Sequence, residues 1–177
     1  MQVLFVPMVA RSANAPRSGC PINAAVEVMG DRWSLLVLRD IMFGNRRNFR
    51  VLQERSEEGI ASNILADRLR RLVAAGLLTR EDAGRGRRAT YSLTEAAIEL
   101  VPVMAALGEW GLRHRPTTQT LRVRAELLAE GGPGLWEDLM SDLRTEHLGA
   151  PPPPGDGQTA TKRLASAYAA AVAAETS

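Results

Sequence analysis

Apolar side chains recur at helical spacing through the first half of the chain. One helical pattern begins at Pro21, a second covers residues 33–43, and a short third one starts at Phe49. The second pattern is apolar around most of its circumference, which is typical of a helix buried on most sides. We therefore expect residues 33–43 to form the central helix of the domain.

A fourth helical pattern, residues 61–75, carries a single leucine stripe. Leu65, Leu69 and Leu72 fall on one side of a helix that turns about 100° per residue, and Gly76 follows as a C-terminal stop. The stripe predicts that this helix packs one face on the core and exposes the other.

Two short segments after the fourth helix have strand character. Residues 77–80 and 89–93 are rich in leucine and threonine and include Tyr91, and residues 81–88 between them contain two glycines and three arginines. This order predicts a β-hairpin with a Gly-rich basic tip.

The rest of the chain is predicted to be largely helical. Thr94 is a good N-cap for a long helix that continues through Pro102, where we expect it to bend, to about residue 113. Three further helical stretches follow, at residues 120–129, 135–147 and 162–174, the last after a Pro/Gly linker.

Together these elements predict a mainly α fold with a small β-hairpin, namely a winged helix-turn-helix plus a C-terminal helical extension. We divide the chain into four parts: a leader (1–19), a winged helix-turn-helix DNA-binding domain with a dimerisation helix (20–115), a helical extension (116–150), and a Pro/Gly linker with an Ala-rich C-terminal helix (151–177).

Composition narrows the class of protein. The 177 residues are 45% hydrophobic and 24% charged, as in ordinary globular proteins, and no apolar stretch approaches the roughly 18 residues of a membrane span. One cysteine excludes an internal disulfide framework, and two histidines leave little material for a structural zinc site. We expect a cytoplasmic protein without metal, cofactor or membrane partner. No nucleophile–base pair or phosphate-binding loop indicates an enzyme.

The first ten residues are apolar, and Ala13-Asn14-Ala15 resembles a signal cleavage site. However, no positive charge precedes the apolar run, and Pro16 follows the cleavage position. A loose leader or a misplaced start codon is therefore preferred to a secretory signal.

Positive charge is concentrated in the middle of the chain. Residues 46–88 hold eleven arginines against six acidic residues, whereas residues 116–177 hold four arginines and one lysine against eight acidic residues. Arginine presents a planar fork that pairs with phosphate or with a guanine edge. A GC-rich genome also produces an excess of arginine, so the clustering is the informative feature.

The leucine-striped helix and the basic hairpin predict an interface for double-stranded DNA. The major groove admits one α-helix, and the wing reaches neighbouring phosphates. Asn63 and Arg70 lie opposite the leucines and are the best candidates for base edges, because Asn suits adenine and Arg suits guanine. Asp67 can pair with Arg70 and Arg71 and orient them. The candidate DNA-facing residues of this helix are Ser62, Asn63, Ala66, Arg70 and Arg71. The alternative is a solvated face with ordinary ion pairs.

Two further groups of arginines are candidates for phosphate contacts. Arg85, Arg87 and Arg88 lie at the tip of the wing, where they would position DNA without reading its sequence; a solvated turn is the alternative. Arg46 and Arg47 follow the second helix, where the chain could touch the DNA backbone.

The joint spacing of several short motifs resembles the HxlR-type transcriptional regulators. The matching segments are Cys20-Pro21, 30–40, 44–49, Gly59-Ile60, 65–72, Gly76-Leu77, 91–94 and Trp110-Gly111. The resemblance covers residues 20–115 and implies a homodimeric winged-helix repressor or activator, related in shape to MarR-type proteins. Such a dimer binds a near-palindromic operator. The chain departs from the family at Ala61, where serine is usual, and in a shorter and more basic wing tip.

Cys20 precedes Pro21 at the start of a helix, where the helix dipole and nearby Arg17 favour a thiolate. Some HxlR-type regulators sense oxidants or electrophiles through a cysteine at this position, so the resemblance implies a redox-sensing role. With no second cysteine, the products would be a bridge between subunits, a mixed disulfide or an adduct. A small structural residue at the helix start is the alternative.

Some assignments stay open at this point. The apolar faces after residue 116 need partners, either the long helix or a second subunit, with a small-molecule effector as one possible occupant. Trp33 and Trp110 are interpreted as core or dimer-seam residues, and His114 and His147 as solvated side chains. A winged-helix protein-interaction module that never binds DNA is the second functional hypothesis.

Overall fold

The computed structural model describes residues 18–82, 84, 88–152 and 157–176. Its elements are, in chain order, α1 Pro21–Met29, α2 Arg32–Gly44, α3 Phe49–Glu54, α4 Ser62–Ala74, β1 Leu78–Glu81, β2 Thr90–Leu93, α5 Glu95–Ile98, α6 Val101–His114, α7 Gln119–Leu148 and α8 Ala160–Glu175. This order is a winged helix-turn-helix followed by a C-terminal helical extension, so the predicted fold class is confirmed. None of these described helices is both long enough and apolar enough to cross a bilayer.

α2 is the central helix, and both of its ends are fixed locally. The carboxylate of its N-cap, Asp31, accepts hydrogen bonds from the backbone N–H groups of Trp33 at 3.0 Å and Ser34 at 3.1 Å. After the last turn, Asn45 adopts a left-handed conformation with φ 45°, which ends the helix. Residues spread around the helix are buried, as its wide apolar surface predicts.

The core of the winged domain lies between α2, α4, the hairpin and α5. The leucine stripe of α4 is at most 1% exposed, and α4 packs against α2. The largest fully buried side chains of this core are Leu38, Ile41, Met42, Leu52, Leu65, Leu69, Leu72, Leu78, Leu93, Ile98 and Val101. Each buried leucine contributes roughly 1.5–3 kcal/mol to folding, so the stripe fixes which face of α4 turns inward.

The wing is a two-stranded antiparallel hairpin. β1 pairs with β2 with Leu78 opposite Leu93 and Glu81 opposite Thr90. The predicted hairpin is confirmed, and its strands lie within one residue of the predicted bounds. Arg85 and Arg87 of the predicted wing tip lie outside the described residues.

The prediction of one long helix from Thr94 to about residue 113 is wrong. Thr94 does cap a helix, accepting a hydrogen bond from the N–H of Ala97 at 3.3 Å, but α5 ends at Ile98 and α6 begins at Val101. Pro102 has no N–H to donate, and its ring clashes with the carbonyl four residues earlier, at Ile98. The proline therefore occupies the first turn of a new helix, where these defects are tolerated.

α7 consists of two helical segments that meet at Gly132. Gly132 has non-helical dihedrals, φ 53° and ψ −154°, and Pro133 follows it. Across this kink, Nε1 of Trp136 donates a hydrogen bond to the carbonyl of Leu128 at 2.8 Å. In a straight helix the Cα atoms of these two residues would lie about 12 Å apart along the axis, so the contact requires the long Trp136 side chain to reach back across the kink. The break at the Gly/Pro sequence agrees with the two separate stretches that the sequence predicts.

Apolar packing and polar contacts hold the extension to the winged domain, since Leu139 and Leu143 of α7 belong to the same buried cluster as the core leucines of α2 and α4. Arg144 on α7 lies 2.7 Å from the carboxylate of Glu95 on α5. Buried Asp142 accepts a hydrogen bond from the N–H of Thr161 at 2.8 Å and so anchors the start of α8 on α7. The second half of α7 also packs against β2.

His147 is not the solvated side chain that the sequence suggested. It is partly buried at the end of α7, and its Nδ1 accepts a hydrogen bond from the N–H of Leu93 at 3.3 Å. Burial, the largest cause, and the positive charge of Arg47 together lower the pKa of His147 from its usual 6.5 to about 4, although the charge of Glu146 opposes them. His147 is therefore neutral in the folded protein at neutral pH. His114, in contrast, is exposed.

This burial predicts a loss of stability in mild acid. Between pH 6.5 and 4 the unfolded chain binds a proton at His147 that the folded chain does not bind. The histidine therefore leaves stability unaffected above pH 6.5 and reduces it progressively as the pH falls toward 4. The free energy of unfolding, measured with urea at pH 7 and at pH 5, should differ less between the two pH values for His147→Asn than for the parent protein. An unchanged difference in His147→Asn would contradict the assignment.

Candidate nucleic-acid interface

α4 presents the polar face that its sequence predicts. The side chains of Arg70 and Arg71 are 74% and 69% exposed. Ser62 and Asn63 are exposed at the start of the helix, and Ala66 is partly buried beside them. The five predicted residues of α4 therefore lie on or beside the face that does not enter the core.

Asp67 holds the two exposed arginines of α4 in place. Its carboxylate lies 3.1 Å from Nη2 of Arg70 and 2.9 Å from Nε of Arg71, which are the predicted pairs at i+3 and i+4. The same carboxylate also lies 2.9 Å from Nη1 of Arg68. One acidic side chain thus orients the guanidinium groups and leaves the face with a net positive charge.

Arg68 joins α4 to the start of α2, a contact that sequence reasoning missed. Its Nε lies 2.9 Å from Oδ1 of Asp31, and its side chain is only 17% exposed. Asp31 therefore serves both as the N-cap of α2 and as an ionic partner of α4. The local sequence around Asp31 carries no information about a partner 37 residues away.

The N-terminus of α4 differs from the family pattern. Ala61 is the N-cap, and it supplies no side-chain hydrogen bond. The first N–H groups of a helix without a cap remain available to an external acceptor, and phosphate is a favoured one. The exposed Ser62 and Asn63 lie at the same end of the helix.

The wing follows α4 after one tight turn. Gly76 has φ 72°, a conformation that glycine adopts without strain, and the N–H of Leu77 donates to the carbonyl of Leu72 at 2.9 Å. These contacts fix where β1 starts relative to α4. Arg88, at the start of the returning strand, is exposed. Gly84 in the tip also has a positive φ, 81°.

Arg46 and Arg47 make contacts within the chain. Arg46 is 14% exposed, and its Nη1 lies 3.0 Å from the carboxylate of Asp40 and donates to the carbonyl of Arg55. Arg47 donates to the carbonyl of Tyr91 at 3.2 Å and to the hydroxyl of Ser92, and it lies 3.3 Å from Glu146. Little of either guanidinium is left for DNA. Their contact with DNA stays a prediction, and the candidate interface formed by α4 and the wing does not depend on it.

Cys20 is exposed at the N-cap of α1. No residue of α1 is buried, and Ile22 and Val26 on it are 74% and 56% exposed. Further apolar side chains, Val103, Leu107 and Trp110, are exposed along α6 at helical spacing. The described chain therefore carries two helices with apolar faces that nothing in it covers.

A family model for HxlR-like helix-turn-helix proteins matches residues 28–119, just over half of the chain. This chain belongs to the HxlR-like helix-turn-helix family. The match begins in α1 and ends where α7 begins. It includes α4 and the wing, whereas almost all of the helical extension lies beyond it.

Relatives support the same assignment. The chain is 36% identical over 99 residues to an uncharacterized HTH-type transcriptional regulator of Mycobacterium bovis, Mb3122; the match covers 55% of this chain and 61% of that relative. It is 34% identical over 93 residues to one from Synechocystis, sll1512, with 52% and 67% covered. The chain thus spans about three-fifths of the mycobacterial relative. The solved structure of PA1607, a candidate transcription factor, is 35% identical with a TM-score of 0.52, covering 57% of this chain and 69% of that one.

The double role of Asp31 predicts a specific loss of stability. Asp31→Ala removes the cap of α2 and the partner of Arg68, so the free energy of unfolding should fall by about 1–2 kcal/mol from the cap alone. Asp82→Ala is the matched control, because Asp82 is 69% exposed and pairs only with the nearby Arg80 among the described residues. That surface ion pair contributes about 0–1 kcal/mol to the free energy of unfolding. Urea denaturation measures the free energy of unfolding of both variants. Equal losses in the two variants would contradict the double role of Asp31.

Proposed function

We propose that this protein is a DNA-binding transcriptional regulator that inserts α4 into the major groove of double-stranded DNA and places its wing on the adjacent phosphates. The observation that carries the proposal is the exposed polar face of α4, with Asn63 and the paired Arg70 and Arg71, followed immediately by an arginine-rich hairpin. Membership of a helix-turn-helix family supports the same function.

In this proposal, one group of residues contacts the bases and another group binds the phosphates. Asn63 and Arg70 contact base edges, because amide and guanidinium groups can bind adenine and guanine bidentately. Arg85, Arg87 and Arg88 contact phosphates, which adds affinity without sequence preference. Phosphate contacts release counterions, so binding weakens steeply as salt is added.

The proposed working unit is a homodimer. Exposed Ile22 and Val26 on α1 and the stripe of α6 provide the apolar surface that a second copy would cover. Two copies of α4 would then enter successive major grooves, about 34 Å apart, on a near-palindromic operator.

Variants of α4 and the wing should differ in how they affect DNA binding. Against an operator selected from genomic fragments, Arg70→Ala should lose roughly 1–3 kcal/mol of binding free energy and much of the preference over random DNA. Arg87→Ala should weaken binding to both duplexes equally and reduce the salt slope by about 1. Fluorescence anisotropy with labelled duplexes measures both quantities and the number of chains bound.

Arg163→Ala serves as the charge control, because Arg163 is exposed on α8 and should leave both affinities unchanged. If Arg70→Ala and Arg87→Ala had the same effect on operator and random DNA, the division of roles would be wrong. If the folded parent protein showed no salt-sensitive binding, the alternative of a winged-helix protein-interaction module would be favoured.

A response to oxidants is the second part of the proposal, and the exposure of Cys20 supports it. Cys20 lies on α1 beside the apolar surface assigned to the dimer. Diamide, which accepts two hydrogen atoms as two thiols form one disulfide, should convert the parent protein into a dimer linked through Cys20. Non-reducing gels should show this species, with a changed DNA affinity, in the parent protein and not in Cys20→Ser. A Cys20→Ser protein with the parental response to diamide would refute the role.

A further inference from the structure

A cavity in the described part of the chain lies between the family domain and the extension. It has a volume of about 510 Å³, within the range of small-molecule sites. α2 and α6 form one side, and α7 together with Tyr168 of α8 forms the other. Its apolar wall includes Leu35, Phe43, Met104, Leu112, Leu121 and Leu128.

Two arginines that line this cavity, Arg32 and Arg124, form no ion pair among the described residues; Arg32 is exposed, whereas Arg124 is partly buried. Arg124 of α7 lines the cavity, and its Nε is buried without a hydrogen-bond acceptor. Its Cζ lies 4.1 Å from the centre of the Tyr168 ring, a cation–π contact that supplies no hydrogen-bond acceptor in the guanidinium plane. Arg124 is therefore held by packing and by an aromatic face, and its buried Nε has no acceptor among the described residues.

The acidic side chains that line the cavity, Asp40 and Glu57, are already engaged with other arginines, as is Glu58, the next residue in the chain. Asp40 lies 2.7 Å from Arg39 and 3.0 Å from Arg46. Glu58 pairs with Arg39 at 2.7 Å, and Glu57 lies 3.7 Å from Arg46.

Burial lowers the pKa of Arg124, and the positive charges of Arg46 and Arg39 act in the same direction, whereas Asp40 and Tyr168 oppose it. An unpaired charge in a partly buried position is costly unless an anion compensates it.

We propose that this cavity binds a small organic carboxylate, with the carboxylate paired to the guanidinium of Arg124 and the apolar body against the wall formed by α2 and α6. A guanidinium and a carboxylate form a bidentate pair, and the apolar wall favours a hydrophobic body over a polar one. Arg124 and Tyr168 lie beyond residue 119, where the family match ends, so the anion-binding part of the site comes from the extension of this chain.

Binding can be tested on the full chain without DNA, so its failure is distinguishable from a failure of DNA binding. The probes are 2-naphthoate and its neutral counterpart 2-naphthalenemethanol, measured by isothermal titration calorimetry at constant salt. Naphthoate should bind at least about tenfold more tightly than the alcohol, because only the anion forms charge-assisted hydrogen bonds with Arg124.

Three variants locate the site. Arg124→Met should reduce the affinity for naphthoate to that for the alcohol, whereas Arg163→Met, on the exposed side of α8, should leave both affinities unchanged. Gly111→Leu should weaken the binding of both probes. Gly111 lines the cavity, and a Cβ there meets no atom within 4 Å, so the leucine side chain can occupy cavity space. Gly111→Leu also serves as an independent test if Arg124→Met does not fold, as judged by circular dichroism.

The proposal is overturned if the folded parent protein binds neither probe at millimolar concentration, which would mean that the cavity is closed or filled by the protein itself. It is also overturned if naphthoate and the alcohol bind equally. Unchanged binding of naphthoate by folded Arg124→Met or by Gly111→Leu would place the ligand elsewhere and would equally refute it.

Discussion

The burial of the leucine stripe of α4 against α2 is the constraint on which the rest of the molecule depends. A helix that buries one stripe can no longer rotate about its axis, because any rotation would expose apolar surface. The residues opposite the stripe, Asn63 and Arg70, are therefore directed away from the core. Asp31 reinforces the same arrangement, since it caps α2 and binds Arg68 of α4.

Features governed by neighbours in the sequence could be predicted from the sequence. The helical period identified α4 and its outer face, the spacing of Asp67 to Arg70 and Arg71 predicted their ion pairs, and Gly76 marked the turn into the wing. Features governed by tertiary packing could not be predicted in this way. The engagement of Arg46 by Asp40 and the buried state of His147 depend on residues that no local pattern brings together.

Pro102 shows how a local signal can be noticed and still be misjudged. The sequence indicates a disturbance of the helix there, but a bend and a restart leave almost the same pattern of apolar residues. The structure has the restart, with α5 and α6 separated by two residues. The extension poses the opposite problem, because its Gly/Pro break is plain in the sequence whereas its docking on α2, α6 and the wing is not. The cavity at that junction has no local sequence signature.

In the proposed homodimer, the absence of buried residues in α1 would link the formation of this helix to the protein concentration. A nine-residue helix falls short of the roughly 12–15 residues at which an isolated helix becomes even marginally stable in water. With few contacts to the described remainder of the chain, α1 gains its main support only when another surface covers Ile22 and Val26. If a second copy supplies that surface, as proposed, mass action would couple the folding of α1 to dimerisation, and dilution would fray α1 while the leucine-packed core remains intact.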